Sequence, residues 1–191
     1  MQLVFIDETS DTKFKDYFGI SCCIINSHFY KTVKSDFQSI LLKEKWDPNI
    51  EFKGSYLFSA SKGDRSISIE KRVLIAKKIL RLNVSVKHSR MKFYYLAQKS
   101  KDQRIDYLAY LPLFLDKILP KPKHTGSKDV ICIQCDNRND ISNDEIRNSL
   151  LPVINKNGYT LLENVIQANS NFETVGLLYA DIVGYLTSRI E

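Results

Sequence analysis

Apolar and polar residues alternate along this chain in blocks that change period, and the changes mark the elements. Gln2-Leu3-Val4-Phe5-Ile6 is a short apolar run ended by Asp7-Glu8-Thr9-Ser10-Asp11, which predicts a strand and then a turn. Tyr17 to Asn26 predicts a second strand, near enough to pair with the first as a hairpin. Ser27 offers a cap for a helix over about 29–45, where Phe29, Val33, Phe37, Ile40 and Leu41 form one stripe. Asp47-Pro48-Asn49 closes that helix, and residues 50–60 read as irregular or briefly extended. A second helix is expected from Ser66 through Leu82, with Ile69, Val73, Ala76 and Leu80 on one face. Asn83 to Leu96 reads as extended with a basic break at 87–90, and Asp102 to Leu119 as a helix kinked at Pro112. The loop 120–127 is the clearest interruption. Beyond it come a strand from Val130 to Cys135 ended by Asp136, a helix over 143–156 stopped at Asn157-Gly158, a strand from Tyr159 to Ile166, and a helix from Thr174 to about Arg189. Strand, helix, strand, helix in the last third predicts a mixed or parallel α/β sheet.

Size and composition agree with one globular domain over 1–191: the 22.1 kDa chain is 43% hydrophobic and 26% charged, with no internal repeat and no Gly/Ser linker. That composition excludes collagen-like, low-complexity and disordered chains. No apolar run reaches the roughly 18 residues that a membrane span needs. Asp7 and Glu8 interrupt the stretch where a signal peptide would stay apolar, so a cytoplasmic protein is expected. The net charge of +6 suggests a polyanionic partner, and Lys and Arg are dense between Lys71 and Lys123. Cys22-Cys23 and Cys132-Ile-Gln-Cys135 lie in strand-like runs, where neighbours at i,i+1 and i,i+3 face opposite ways. Buried, reduced thiols are therefore expected, with a zinc site as the lesser alternative.

In a basic chain the acids carry more information. Asp7 and Asp136 each follow an apolar strand, and parallel neighbours would bring both to the sheet edge where α/β proteins place their sites; either alone also suits a simple turn. Asp181 lies on a helical stripe with Leu177, Leu178, Gly184 and Tyr185. A buried carboxylate needs a cation or strong donors, and a metal and a structural cap both meet that need. Extended geometry puts Glu51 and Lys53 on one side with Phe52 opposite, which is compatible with a shared site and with a solvated ion pair. Carboxylates that converge repel one another, and Mg²⁺ or Mn²⁺ relieves the repulsion and serves phosphodiester chemistry.

Four motifs in order, Phe5-Ile6-Asp7-Glu8-Thr9-Ser10-Asp11, Glu51-Phe52-Lys53-Gly54-Ser55, the strand ending in Asp136, and Gly176 to Tyr185, span nearly the whole chain and resemble the DUF3800 family. The resemblance implies a ribonuclease H-like mixed β-sheet flanked by α-helices. It also implies an acidic metal site of Asp7, Glu51, Asp136 and Asp181, with Glu8 and Lys53 as supporting or phosphate-facing groups. Ser10 stands where the family usually has glycine and Leu178 where glutamine is common; neither change removes an expected ligand.

The resulting expectation is a nuclease or related phosphoryl-transfer enzyme dependent on Mg²⁺ or Mn²⁺ and acting on nucleic acid, RNA or DNA. In it Asp7, Asp136 and Asp181 hold metal, Glu51 completes the set and Lys53 offsets phosphate charge. Lys87, His88, Arg90 and Lys92, followed by Phe93, Tyr94 and Tyr95, offer a nucleic-acid grip, against which stands a core strand with a solvated basic end. The rival class is a non-catalytic nucleic-acid or protein interaction module of a bacterial defence or mobile-element system. A homodimer through aromatic-rich helices is compatible with the sequence, which does not specify one.

Overall fold

The computed structural model describes residues 1–10, 17–82, 90–122 and 129–189. The strands are β1 (Gln2–Ser10), β2 (Tyr17–Asn26), β3 (Met91–Lys99), β4 (Asp129–Asp136), β5 (Tyr159–Leu161) and β6 (Ile166–Ala168). The helices are α1 (Ser27–Lys43), α2 (Ile69–Arg81), α3 (Gln103–Ile118), α4 (Asn143–Lys156) and α5 (Val175–Thr187), with a 3-10 turn at Gly54–Tyr56. The sheet runs β3-β2-β1-β4-β5, and β6 also pairs with β4. β1–β2 and β2–β3 are antiparallel, whereas β4 runs parallel to β1, β5 and β6.

Strand alternation divides the core in two. Val4, Ile6, Ile20, Cys22, Ile133 and Cys135 join Tyr107, Leu111, Leu150 and Ile154 of α3 and α4. Their neighbours Phe5, Cys23 and Ile25 face the other way, onto α1, α2 and α5 through Phe37, Ile75, Leu178 and Tyr179. Both sheet faces are thus covered, as the parallel strands require. No helix among the described residues is long and apolar enough to cross a membrane.

Capping explains most helix boundaries. Asn26, not Ser27, starts α1 by accepting from the His28 amide. Ser68 starts α2, because Ser66 is committed to Asp64. Asp102 caps α3, and Ser142 with Glu145 forms a reciprocal capping box on α4.

Four expectations change. β1 does not stop at Ile6: Asp7 to Ser10 pair with Ser21 to Phe18, so the β2 ladder overrides the turn-forming character of those residues. β3 continues past Leu96 to Lys99 because Tyr17 to Gly19 pair with it. The region 159–166 is not one strand but two short ones on β4, separated where Glu163 takes a left-handed conformation with φ of 59°. The α2 start moves from Ser66 to Ser68 as described. The basic break at 87–90 falls largely outside the described residues.

Candidate functional site

The register of the central strands determines what shares a face. Ile6 stands against Cys135 in the parallel β1–β4 pair, so the next residues are Asp7 and Asp136, with side chains opposite to the α3/α4 core. Helix α5 covers that face. It comes close because Gly176, Ala180 and Gly184 recur every four residues: a Cβ on Gly176 would sit 2.3 Å from the Phe5 ring, and one on Gly184 2.7 Å from Ser21 Oγ. Asp181 is carried inward beside this contact and is 5% exposed; Asp7 is 4% exposed.

The three aspartates are each held by specific groups. The Glu8 amide donates to Asp7 Oδ1 at 2.8 Å, while Ser21 Oγ donates to the Asp7 carbonyl at 3.1 Å. The Gly54 amide donates to Asp181 Oδ2. Ser170 Oγ donates to Asp136 Oδ1 at 3.1 Å. Phe52 is fully buried against Phe37 and Trp46, which anchors the segment on either side of it, and Glu51 and Lys53 project together with Lys53 Nζ 3.7 Å from Glu51 Oε1. Glu51 Oε1 is buried and accepts no hydrogen bond.

The electrostatics show that these acids feel one another. Burial pushes the Asp7 carboxyl well above the usual carboxylate range, and the charges of Asp181 and Asp136 push it further, against Lys53. Asp181 is raised, chiefly by burial and then by Asp136, while the Gly54 amide and Lys53 pull it back. Burial raises Glu51 too, opposed by Lys53 and reinforced by Asp181 and Asp136. Burial alone would lower Lys53, but Asp181, Glu51, Asp7 and Asp136 together raise it, so its ammonium is the local counter-ion. Asp7, Glu51, Asp136, Asp181 and Lys53 therefore form one interacting group.

The other expected residues lie elsewhere. Glu8 stands opposite Ile20 on the α3/α4 side and pairs with Arg138 at 2.6 Å, so it faces away from Asp7. Lys92 pairs with Ile24 and is exposed on that same opposite side. Arg90 is paired with Asp36 at 3.0 Å. Lys87 and His88 lie outside the described residues. Cys22 and Cys23 enter the two different cores, and burial pushes the Cys135 thiol up to about 12.

Some participants carry no clear signal in the sequence. Ser170 and the Gly54 amide reach their partners only through the fold. Arg138 follows Asp136 by two residues and bridges Glu8 and Asp140 beneath the Tyr107 ring, so it ties the end of β4 to β1. Gln167 of β6 accepts from the Arg138 amide at 2.7 Å and donates to the Ile141 carbonyl at 2.8 Å, which pins the same connection.

Four carboxylates supply only hard oxygen donors, which suits Mg²⁺ or Mn²⁺ better than a soft metal. They are not arranged as a finished coordination sphere: among the described residues no group of three His, Cys, Asp or Glu side chains stands ready to hold an ion.

No family model and no curated protein matches the chain. Solved structures do. The ribonuclease H2 from Pyrococcus horikoshii OT3 superposes over 100% of this chain and 74% of its own, with a TM-score of 0.54 and 11% identity. A chain of the PCNA:RNase HII complex from Archaeoglobus fulgidus superposes over 100% of this chain and 74% of its own, with a TM-score of 0.51 and 9% identity. The fold is ribonuclease H-like.

Proposed function

We propose that this protein is a divalent-metal-dependent nuclease, with Asp7, Asp136 and Asp181 as the residues that hold Mg²⁺ or Mn²⁺ and Glu51 as the fourth carboxylate of the set. One observation carries the reading: acids from β1, β4 and α5 converge on one face of a ribonuclease H-like sheet, where Asp7 and Asp181 are buried and the charges of Asp181 and Asp136 add to the effect of burial on Asp7. Burying like charges near one another costs stability, and such a cost is characteristic of functional sites. The four ordered motifs also support placing the chain with the DUF3800 proteins.

A bound divalent ion supplies charge neutralisation and Lewis acidity at the phosphodiester. The chain's own groups do the rest. The Gly54 amide holds Asp181, and Ser170 holds Asp136, so both are oriented before the ion arrives. Lys53, exposed by about a third, reaches the same space and offsets charge on the phosphate. The substrate is nucleic acid in this reading, in keeping with the basic net charge.

The rival reading, a non-catalytic nucleic-acid or protein interaction module, is favoured by the absence of a finished three-ligand group among the described residues. Thermal shift with Mn²⁺ and a cleavage assay on single-stranded and duplex DNA, RNA and hybrid separate the two. The nuclease should gain about 5–10 °C at 100-fold excess of Mn²⁺ over its dissociation constant. Asp7→Asn and Asp181→Asn should each remove both the gain and the cleavage. A wild-type protein that Mn²⁺ leaves unchanged and that cleaves none of these substrates belongs to the rival class.

A further inference from the structure

One turn of α5 beyond Asp181, the chemistry of the surface changes from acid to aromatic. Tyr185 follows Asp181 by four residues, so the two share a helix face about 6 Å apart. Its ring stacks with Phe58 at a centroid distance of 6.3 Å and an interplanar angle of 25°. The Arg189 guanidinium lies 5.0 Å from the centre of the same ring. Gly54 joins this group to the carboxylates: a Cβ there would lie 2.5 Å from Tyr185 Cβ and 3.1 Å from Asp181 Oδ2.

Phe58 is 52% exposed, unlike the many rings in the two cores. A lone exposed hydrophobe needs no explanation, but this one is held in place. Arg72 of α2 is only 2% exposed, and its guanidinium donates to the carbonyls of Tyr56, Ser59, Lys62, Asp64 and Ile67. Two of those carbonyls flank Phe58 in sequence. A buried cation is thus spent on fixing the loop that presents an aromatic ring to water. The exposed charges of this loop are of one sign: Lys62 and Arg65 are exposed, whereas Asp64, the loop's carboxylate, is buried and accepts from the amides of Asp47 and Ser66.

We infer that the Phe58–Tyr185 stack is a platform for an unpaired nucleobase, so that the substrate class of this site is single-stranded nucleic acid, or a strand unpaired beside the bond to be cut. A fixed aromatic face on a loop whose exposed charges are basic matches a base on its sugar-phosphate chain; every base has a π-face, and a paired base in a duplex does not offer it. Arg189 adds a planar cation on the ring. The inference rests on the nuclease reading only for the position of the cut bond; the platform's own test needs no metal and no turnover.

Fluorescence anisotropy in EDTA buffer, with the full chain and end-labelled 12-nucleotide single strands or a blunt duplex of the same sequence, tests it. Wild type should bind the single strand more tightly than the duplex. Phe58→Ala and Phe58→Leu should each weaken single-strand binding at least about fivefold while leaving duplex binding unchanged, and Phe58→Trp should retain it. Thermal unfolding of the Phe58 variants should match wild type, because the ring is not part of either core. Wild-type affinity for the single strand that is absent or no better than for duplex overturns the inference, and so does a Phe58→Leu variant that binds the single strand like wild type. Loss of cleavage in Asp7→Asn is a separate readout, so a failed nuclease reading and a failed platform are told apart.

Discussion

Asp7 shows how burial beside other acids works against a single carboxyl group. Its carboxyl is buried and surrounded by Asp181 and Asp136, which raises its proton affinity well above that of an unfolded aspartate. Between the ordinary carboxylate range and that raised value the folded chain binds the proton that the unfolded chain has lost. The contribution of Asp7 is therefore complete at low pH and is lost as pH rises through the raised value. In EDTA, Asp7→Asn should unfold at a higher temperature than wild type near neutral pH, and the difference should widen from pH 5 to pH 8; melting curves that stay parallel across that range would show that Asp7 is not under this strain. About 1 kcal/mol corresponds to roughly 2–4 °C in a chain of this size. The sequence made Asp181 legible as a candidate because an acid on a stripe with Leu177 and Leu178 conflicts with its surroundings, and Asp7 because it follows an apolar strand. It could not reveal Ser170 or the Gly54 amide, since each meets its carboxylate across 34 or 127 residues of chain.

At the scale of elements, α5 is the part that closes the site. Its small residues at 176, 180 and 184 let the helix lie against β1 and β2, and the contact leaves no room for a methyl group at Gly176 or Gly184. Gly176→Ala would press on the Phe5 ring and should cost about 1–3 kcal/mol, read by thermal or urea unfolding. Gly184→Ala would press instead on Ser21, which donates to the Asp7 backbone, and should weaken Mn²⁺ binding by calorimetry beyond what its loss of stability explains. Local chemistry made some elements readable: α4 spans Asn143–Lys156 as expected, because its capping box and Asn157-Gly158 stop are both encoded nearby. Other elements depend on partners. β1 runs through Asp7 to Ser10 only because β2 pairs with it, and Lys92 faces away from the acids only because Met91 to Lys99 take the register that β2 imposes. Glu8 is the instructive miss: extending β1 by continuous pairing puts it, as the neighbour of Asp7, on the opposite face, where Arg138 takes it.

For the whole molecule, the mixed sheet and its parallel β1–β4 pair were readable from the order of elements, whereas the addition of both β5 and β6 to β4 was not, because strands of three residues carry almost no periodic signal. The sheet explains why residues so distant in sequence become neighbours: Asp7 and Asp136 need adjacent parallel strands, and Asp181 needs a helix packed across them. The net charge of +6 acts at this scale too. Binding of nucleic acid should weaken as salt is raised, with a linear fall of log affinity against log salt concentration, and Arg189→Ala should make that slope shallower if its cation contacts the backbone. A slope near zero would remove electrostatics from the account. The central claim is that the carboxylates of β1, β4 and α5 share a divalent ion. Anomalous diffraction from crystals grown with Mn²⁺ measures this directly: the account predicts a peak bonded to Asp7 and Asp181, with Asp136 or Glu51 joining at roughly 2.0–2.3 Å. Saturating Mn²⁺ that leaves no peak at these residues would contradict it.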